Sequence, residues 1–279
     1  MQLGKLVSKI YLSKTIIGLY LLALLASCSN YNKIVKGDDF ALKFATANDL
    51  FEKKQYVRSI TLFEQVYQKM PKTGEGELAY YRIGKAYFEE KDYYMAGYYF
   101  GAYTQRYPYS SKSEEALFLS ALSSVYNSPS SSLDQNDTEV AINNLQQFAN
   151  AYPESALLDS CNEIMDGLRF KLEVKNYDAV KLYAQTQNYR AAVTTAITFL
   201  EDYPRSKFKK EISFVLVKNS YFLAINSVES KKKERIEQTI ERYRNFMGEF
   251  PDSSMKKEAN QISDEMQKEL QKLESTKLN

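Results

Sequence analysis

The stretch ELAYYRIGKAYFEEKDYYMAGYYFGAYTQRYPYSS, Glu77 to Ser111, decides the fold, because its closing phrase RYPYSS returns elsewhere in the chain. KMPKTG begins at Lys69, AYPESA at Ala151, DYPRSK at Asp202 and EFPDSS at Glu249. Aligned on Pro71, Pro108, Pro153, Pro204 and Pro251, each phrase has a large apolar residue just before the proline (Met70, Tyr107, Tyr152, Tyr203, Phe250). Each also has a hydroxyl two residues after it (Thr73, Ser110, Ser155, Ser206, Ser253). Five residues before the prolines stand Val66, Tyr103, Phe148, Phe199 and Phe246; twelve before stand the small residues Ser59, Ala96, Ala141, Ala192 and Thr239. Offsets of one, five and twelve share one helical face. A proline lacks an amide proton and turns its predecessor away from helix, while a hydroxyl two residues on can cap the next helix. Each phrase therefore reads as a helix stop followed by a helix start, and the small residue twelve back lets a partner helix approach closely.

Composition agrees. The 279 residues are 44% apolar, enough for a substantial core, and 23 Tyr and 15 Phe stand beside no Trp, 10 Gly and 6 Pro, which leaves few punctuators for many short strands. The chain is expected to be all-α. With 37 Lys plus Arg against 35 acidic residues, the net charge of +2 gives no electrostatic support for nucleic-acid binding. Histidine is absent, which removes Ser/His/Asp and Cys/His nucleophile systems and every His-containing metal site. The two cysteines, Cys28 and Cys161, form neither a zinc knuckle nor a disulfide framework. No cofactor and no metal is expected.

Lys5, Lys9 and Lys14 precede an apolar run from Thr15 to Ser27, the length of a signal-peptide core and short for a membrane span. Leu25-Ala26-Ser27-Cys28 closes it and resembles a bacterial lipobox, which implies cleavage before Cys28 and acylation there by fatty chains such as palmitate. The alternative is a plain secretory signal with an incidental cysteine. Three acyl chains anchor stably without crossing the membrane. Residues 1–27 are thus expected to be a signal peptide and 28–37 a polar lipidated tether. Ser29 after the cysteine favours the outer membrane by resemblance to lipoprotein sorting rules, with the body facing the periplasm.

The prolines are separated by 37, 45, 51 and 47 residues, near or above the tetratricopeptide (TPR) period of about 34. The second copy resembles the TPR pattern at Tyr80, Ile83, Gly84, Tyr87, Ala96, Phe100 and Pro108, with Tyr103 where a small residue is usual. Helices are predicted at 38–54, 56–70, 76–90, 92–107, 112–126, 138–152, 156–174, 176–187, 189–203, 207–228, 234–250 and 254–273. They make pairs 38–71, 72–108, 109–153, 154–204 and 205–251, a terminal helix, and a repeat array over 38–275. Asn127 to Asp137 reads as an exposed loop and Lys231-Lys232-Lys233 as a solvated turn. Such pairs stack into a superhelical solenoid whose concave face binds extended partners.

In the TPR pattern the first helix of each pair presents set positions to that groove. The resemblance places Phe44 and Phe51 of the first copy and Tyr81 and Phe88 of the second there, either as peptide contacts or packed on adjoining helices. Cys161 reads as a buried hydrophobe, and the tyrosine-dense segment 80–109 as core in part, with a peptide or glycan platform as the other reading. Glu-Ser pairs at Glu154, Glu229 and Glu274 have no active-site surround, so no enzyme is expected; a peptidoglycan-cleaving enzyme is the weakest alternative.

A lipobox followed by five TPR-like hairpins, an interrupted third pair and the segment YDAVKLYAQTQNYRAAVTTAITFLEDYPRSKFKKEI resembles the BamD family of outer-membrane β-barrel assembly lipoproteins. The resemblance implies amino-terminal repeats that receive unfolded barrel precursors and carboxy-terminal repeats that grip the barrel-forming subunit. The rival reading is a periplasmic TPR adaptor that coordinates cell-wall synthesis or division.

Overall fold

The structure, a computed structural model, describes residues 30–276; the expected signal segment 1–27 and the anchor Cys28 lie outside the described residues. Twelve helices and no strand occur among them: α1 (30–36), α2 (Phe40–Glu52), α3 (Tyr56–Lys69), α4 (Gly74–Glu89), α5 (Tyr93–Arg106), α6 (Ser113–Asn127), α7 (Asn136–Ala151), α8 (Leu158–Gln185), α9 (Tyr189–Asp202), α10 (Lys209–Ile225), α11 (Glu229–Glu249) and α12 (Lys256–Thr276). They fall into two units, residues 30–128 with 136–161 and residues 129–135 with 162–276. In the first unit each helix from α2 to α7 packs on the next, as do α9 to α12 in the second. This is the antiparallel hairpin packing of TPR-like repeats.

The proline phrases make five copies of one turn. The residue before the proline donates its amide to the residue four back, as from Tyr107 to Tyr103 O and from Phe250 to Phe246 O. Its own carbonyl then accepts from the amide of the hydroxyl residue, at 3.0 to 3.2 Å in all five copies. Met70, Tyr107, Tyr203 and Phe250 share φ near −127° and ψ of 50° to 61°, outside the helical region as a following proline demands. The seam is as the spacing predicts. All five small residues twelve back are fully buried, and so, to within 2%, are Val66, Tyr103, Phe148, Phe199 and Phe246.

The hydroxyls do more than cap. Thr73 alone caps its helix directly, accepting from Gly76 N at 3.1 Å, because α4 starts three residues after Pro71 whereas α6, α8, α10 and α12 start five after their prolines. In those longer connections the serine accepts from the amide two residues on, at 3.2, 3.1, 2.9 and 3.2 Å. Three of the serines also donate to a carboxylate on an earlier helix: Ser110 to Glu77 (2.6 Å), Ser155 to Glu114 (2.5 Å) and Ser206 to Glu173 (2.6 Å). For the fifth turn, the position six after the preceding proline, which holds Glu77 and Glu114 in earlier copies, is Lys210. These three turns are thereby fastened to the hairpins they end.

Within the pairs, a second turn recurs. Lys54, Lys91 and Gln187 have φ of 57°, 63° and 59°, and each sits between two reverse bonds, such as Lys91 N to Phe88 O and Asp92 N to Tyr87 O. This is the Schellman arrangement, in which a side chain with a Cβ is strained and glycine is not. Lys91→Gly is therefore expected to stabilise the protein by about 0.5–1 kcal/mol, read as a higher urea midpoint at unchanged slope. A lower midpoint would refute the strain.

Three expectations are corrected. The predicted 156–174 and 176–187 helices are one 28-residue helix, α8. No proline or glycine lies between Leu168 and Gln187, and Asn176 bonds back to Leu172 O and across to the Tyr203 hydroxyl instead of breaking the helix. Lys231 to Lys233 lie in the first turns of α11, where Lys231 pairs with Glu234 and Lys232 and Lys233 reach Glu269 and Glu274 of α12. The third-pair loop is mostly exposed, as expected, and is also held: Gln135 is buried and donates to Ser130 O and Leu133 O, while Lys171 and Lys175 of α8 donate to Pro129 O and Leu133 O. The expected tether contains α1, whose Tyr31, Ile34 and Val35 pack on the first hydrophobic cluster. Buried Lys43 donates to Val35 O (3.0 Å) and Gln65 Oε1 (2.7 Å), and the Tyr31 hydroxyl donates to Arg58 O.

Candidate functional site

Counting from the left-handed turn residues puts the first helix of three pairs in one register. Ten residues back stand Phe44, Tyr81 and Tyr177; six back, Asn48, Lys85 and Lys181; three back, Phe51, Phe88 and Ala184; two forward, Tyr56, Tyr93 and Tyr189.

In the first unit this register yields aromatic steps. Phe51 meets Tyr56 edge to face at 5.3 Å with the Arg82 guanidinium 5.1 Å from its ring, and Arg82 also pairs with Glu52. One pair along, Phe88 meets Tyr93 at 5.4 Å and Tyr126 of α6 at 5.8 Å, and Tyr93 stacks on Tyr126 at 4.5 Å. Phe44 is half-buried against Phe63. Tyr81 is different: it is 6% exposed, its ring enclosed by Phe100 and Tyr103. The groove expectation is corrected at Tyr81, which packs in the core, and burial beside the Glu115 carboxylate drives its phenol far above the ordinary value. The other three aromatics are only partly buried.

The second unit repeats the chemistry with residues that counting from the prolines could have found and the TPR comparison of the first two copies missed. Tyr189 stacks on Phe222 at 5.0 Å as Tyr93 does on Tyr126, and Phe222 and Tyr126 both lie eighteen residues after a proline. Tyr177 donates to Glu211 Oε2 at 2.9 Å, and Lys181 pairs with Glu211 Oε1. Lys85 and Glu115, 3.6 Å apart, occupy the equivalent positions in the first unit. A 380 Å³ pocket beside this clasp is lined by Lys181, Ala184, Tyr189, Lys218, Asn219 and Phe222. In the first copy the Lys/Glu pair is replaced by Asn48 and Leu78, and Asn48 Oδ1 is buried without a hydrogen-bond partner.

The hydrogen bond from Lys181 lowers the Glu211 pKa and, reciprocally, raises that of Lys181. Glu211's contribution is present above the ordinary carboxylate value and lost as pH falls through its depressed one; that of Lys181 is present below the ordinary amine value and lost as pH rises past its raised one. Both side chains are about a third or more exposed, so the pair is worth about 1 kcal/mol at most. Glu211→Gln is expected to lower the melting temperature near neutral pH by a few degrees at most, with the difference from wild type fading as acid titrates Glu211 through its depressed pKa. A difference that persists in acid would refute the clasp.

Among the described residues no group of three or more His, Cys, Asp or Glu could hold a metal ion, and no helix is long and apolar enough to cross a membrane. Cys161 is fully buried, its thiol directed at Leu145 O and its pKa raised by burial. Half-buried aromatics, set beside a Lys/Glu pair in the second and fourth hairpins, can hold an extended apolar segment while offering partners to its backbone.

Among solved structures, the chain is similar to a TPR repeats protein from Bacteroides fragilis, at 14% identity, with 83% of this chain and 99% of that chain covered and a TM-score of 0.40. No curated protein matches the chain. The family model described as YfiO, outer membrane lipoprotein, matches residues 41–196 and 171–276, which between them take in nearly every described residue. The chain belongs to the YfiO (BamD) outer membrane lipoprotein family.

Proposed function

We propose that the protein is a lipid-anchored scaffold of the outer-membrane β-barrel assembly machinery, fixed through Cys28 and facing the periplasm after removal of residues 1–27. The observation that carries the reading is the family match across both units. In this reading the first unit receives unfolded barrel precursors on its half-buried aromatic steps, Phe44, Phe51 and Phe88, now joined by Tyr126. The second unit engages the barrel-forming subunit. The mechanism is recognition and positioning, without catalysis.

The substitutions Phe51→Ala, Phe88→Ala and Tyr126→Ala together are expected to weaken binding of a barrel protein's terminal β-strand peptide by about tenfold or more, since each removes an aromatic step. Unchanged affinity sinks the assignment of these residues. A membrane pull-down with the anchor intact tests the wider reading. Recovery of a large β-barrel protein with periplasmic repeats supports it, and recovery of division or peptidoglycan proteins instead favours a cell-wall adaptor.

A further inference from the structure

Within the tyrosine-dense segment, Tyr94 is 79% exposed and Tyr98, which meets Tyr99 edge to face at 5.5 Å, is still 59% exposed, one turn apart on α5, while Tyr80, Tyr81 and Tyr103 of the same segment are buried. Between these rings and the facing side of α7 lies an open pocket of 320 Å³, large enough for a small ligand. Its floor is small and polar, Gly97 of α5 with Ser120 and Ser124 of α6. Its far wall carries Asn127, Asp137 and Asn144. Asn144 is already oriented, donating to Ser124 Oγ at 2.7 Å.

This lining discriminates among ligand classes. No lysine or arginine lines the pocket, and Asp137 would repel an anion, which excludes phosphates, nucleotides and acidic headgroups. An acyl chain would leave the amide, carboxylate and hydroxyl groups of the wall and floor without partners. A neutral sugar meets both needs. The C–H face of a pyranose ring covers an aromatic ring, and its hydroxyls donate to Asp and exchange hydrogen bonds with Asn and Ser. We propose that this pocket is a binding site for a short neutral saccharide, with Tyr94 and Tyr98 as stacking platforms and Asn127, Asp137 and Asn144 as hydroxyl partners. The site is built mainly on the second helices of the hairpins and does not depend on the barrel-assembly reading.

Saturation-transfer NMR on the folded protein with chitotriose, maltotriose and a neutral hexapeptide tests it. Wild type is expected to transfer saturation to the ring protons of at least one saccharide and not to the peptide. The affinity should fall about fivefold or more in Tyr94→Ala/Tyr98→Ala, the loss expected from removing the stacking. Both rings are mostly exposed, so the melting temperature should move little; Asp137→Asn, which keeps the shape, should weaken binding on its own. Absence of transfer to both saccharides, transfer that survives the double variant, or preference for the peptide would each overturn the proposal.

Discussion

Gly76→Ala is expected to destabilise the protein by about 3 kcal/mol or more and to disorder the junction of the first two hairpins. A Cβ at this position would lie 1.9 Å from Met70 O, 2.7 Å from Met70 C and 3.2 Å from Pro71 Cα, all backbone atoms, so no side-chain rotation relieves the overlap. The cause is the short first connection. With α4 starting three residues after its proline, the carbonyl of Met70, just past the end of α3, lies directly on the first turn of α4, and Gly76 N is also the amide that Thr73 caps. Backing the turn away would break that cap and open the cluster around Ala79 and Ile83. Gly74 is the control, two residues earlier in the same turn, where a Cβ would find nothing within 4 Å, so Gly74→Ala should leave stability unchanged or slightly raised. Urea unfolding of the two variants separates them, and equal midpoints would show that the close approach at Gly76 is not rigid.

Phe199→Ala carries the second large effect, about 3–5 kcal/mol, because it deletes a 1%-exposed ring from the seam of the second unit. Val180, Val193, Ala196 and Ile212 share its cluster, and none of them can grow to fill the space. Stacked hairpins contact mainly their neighbours, so the loss should be local. Native-state hydrogen exchange is expected to lose protection in α9 and α10 and to keep it in α2 to α5. Uniform loss throughout the chain would contradict a repeat-by-repeat core. Tyr203→Ala, at the half-buried position just before the proline, should cost visibly less.

The hairpins were legible because their determinants are local: Pro108, its predecessor Tyr107 and the small Ala96 each act within one turn or one helix contact. The fate of Tyr81 was not local. Its position matches that of Phe44, but Tyr103 stands where a small residue is usual and its bulk, with Phe100, closes over the Tyr81 ring. The serine-to-glutamate fastenings were hidden for a similar reason. Ser110 and Glu77, or Ser155 and Glu114, are 33 and 41 residues apart, and only the closed hairpin brings them within hydrogen-bond distance. The unbroken α8 went unread because a repeat template expects a boundary that no residue in 168–187 encodes.

The seated α1 bears on where the protein can operate. Tyr31 is pinned to Arg58 O and Val35 O to Lys43, so the packed body begins at most three residues after Cys28. Fully extended chain spans about 3.5 Å per residue, and an acylated Cys28 would therefore keep Tyr31 within about 11 Å of the anchoring point. Under the proposed anchoring, a leash of that length would hold the first hairpin at the bilayer surface itself, where any partner would have to come to it.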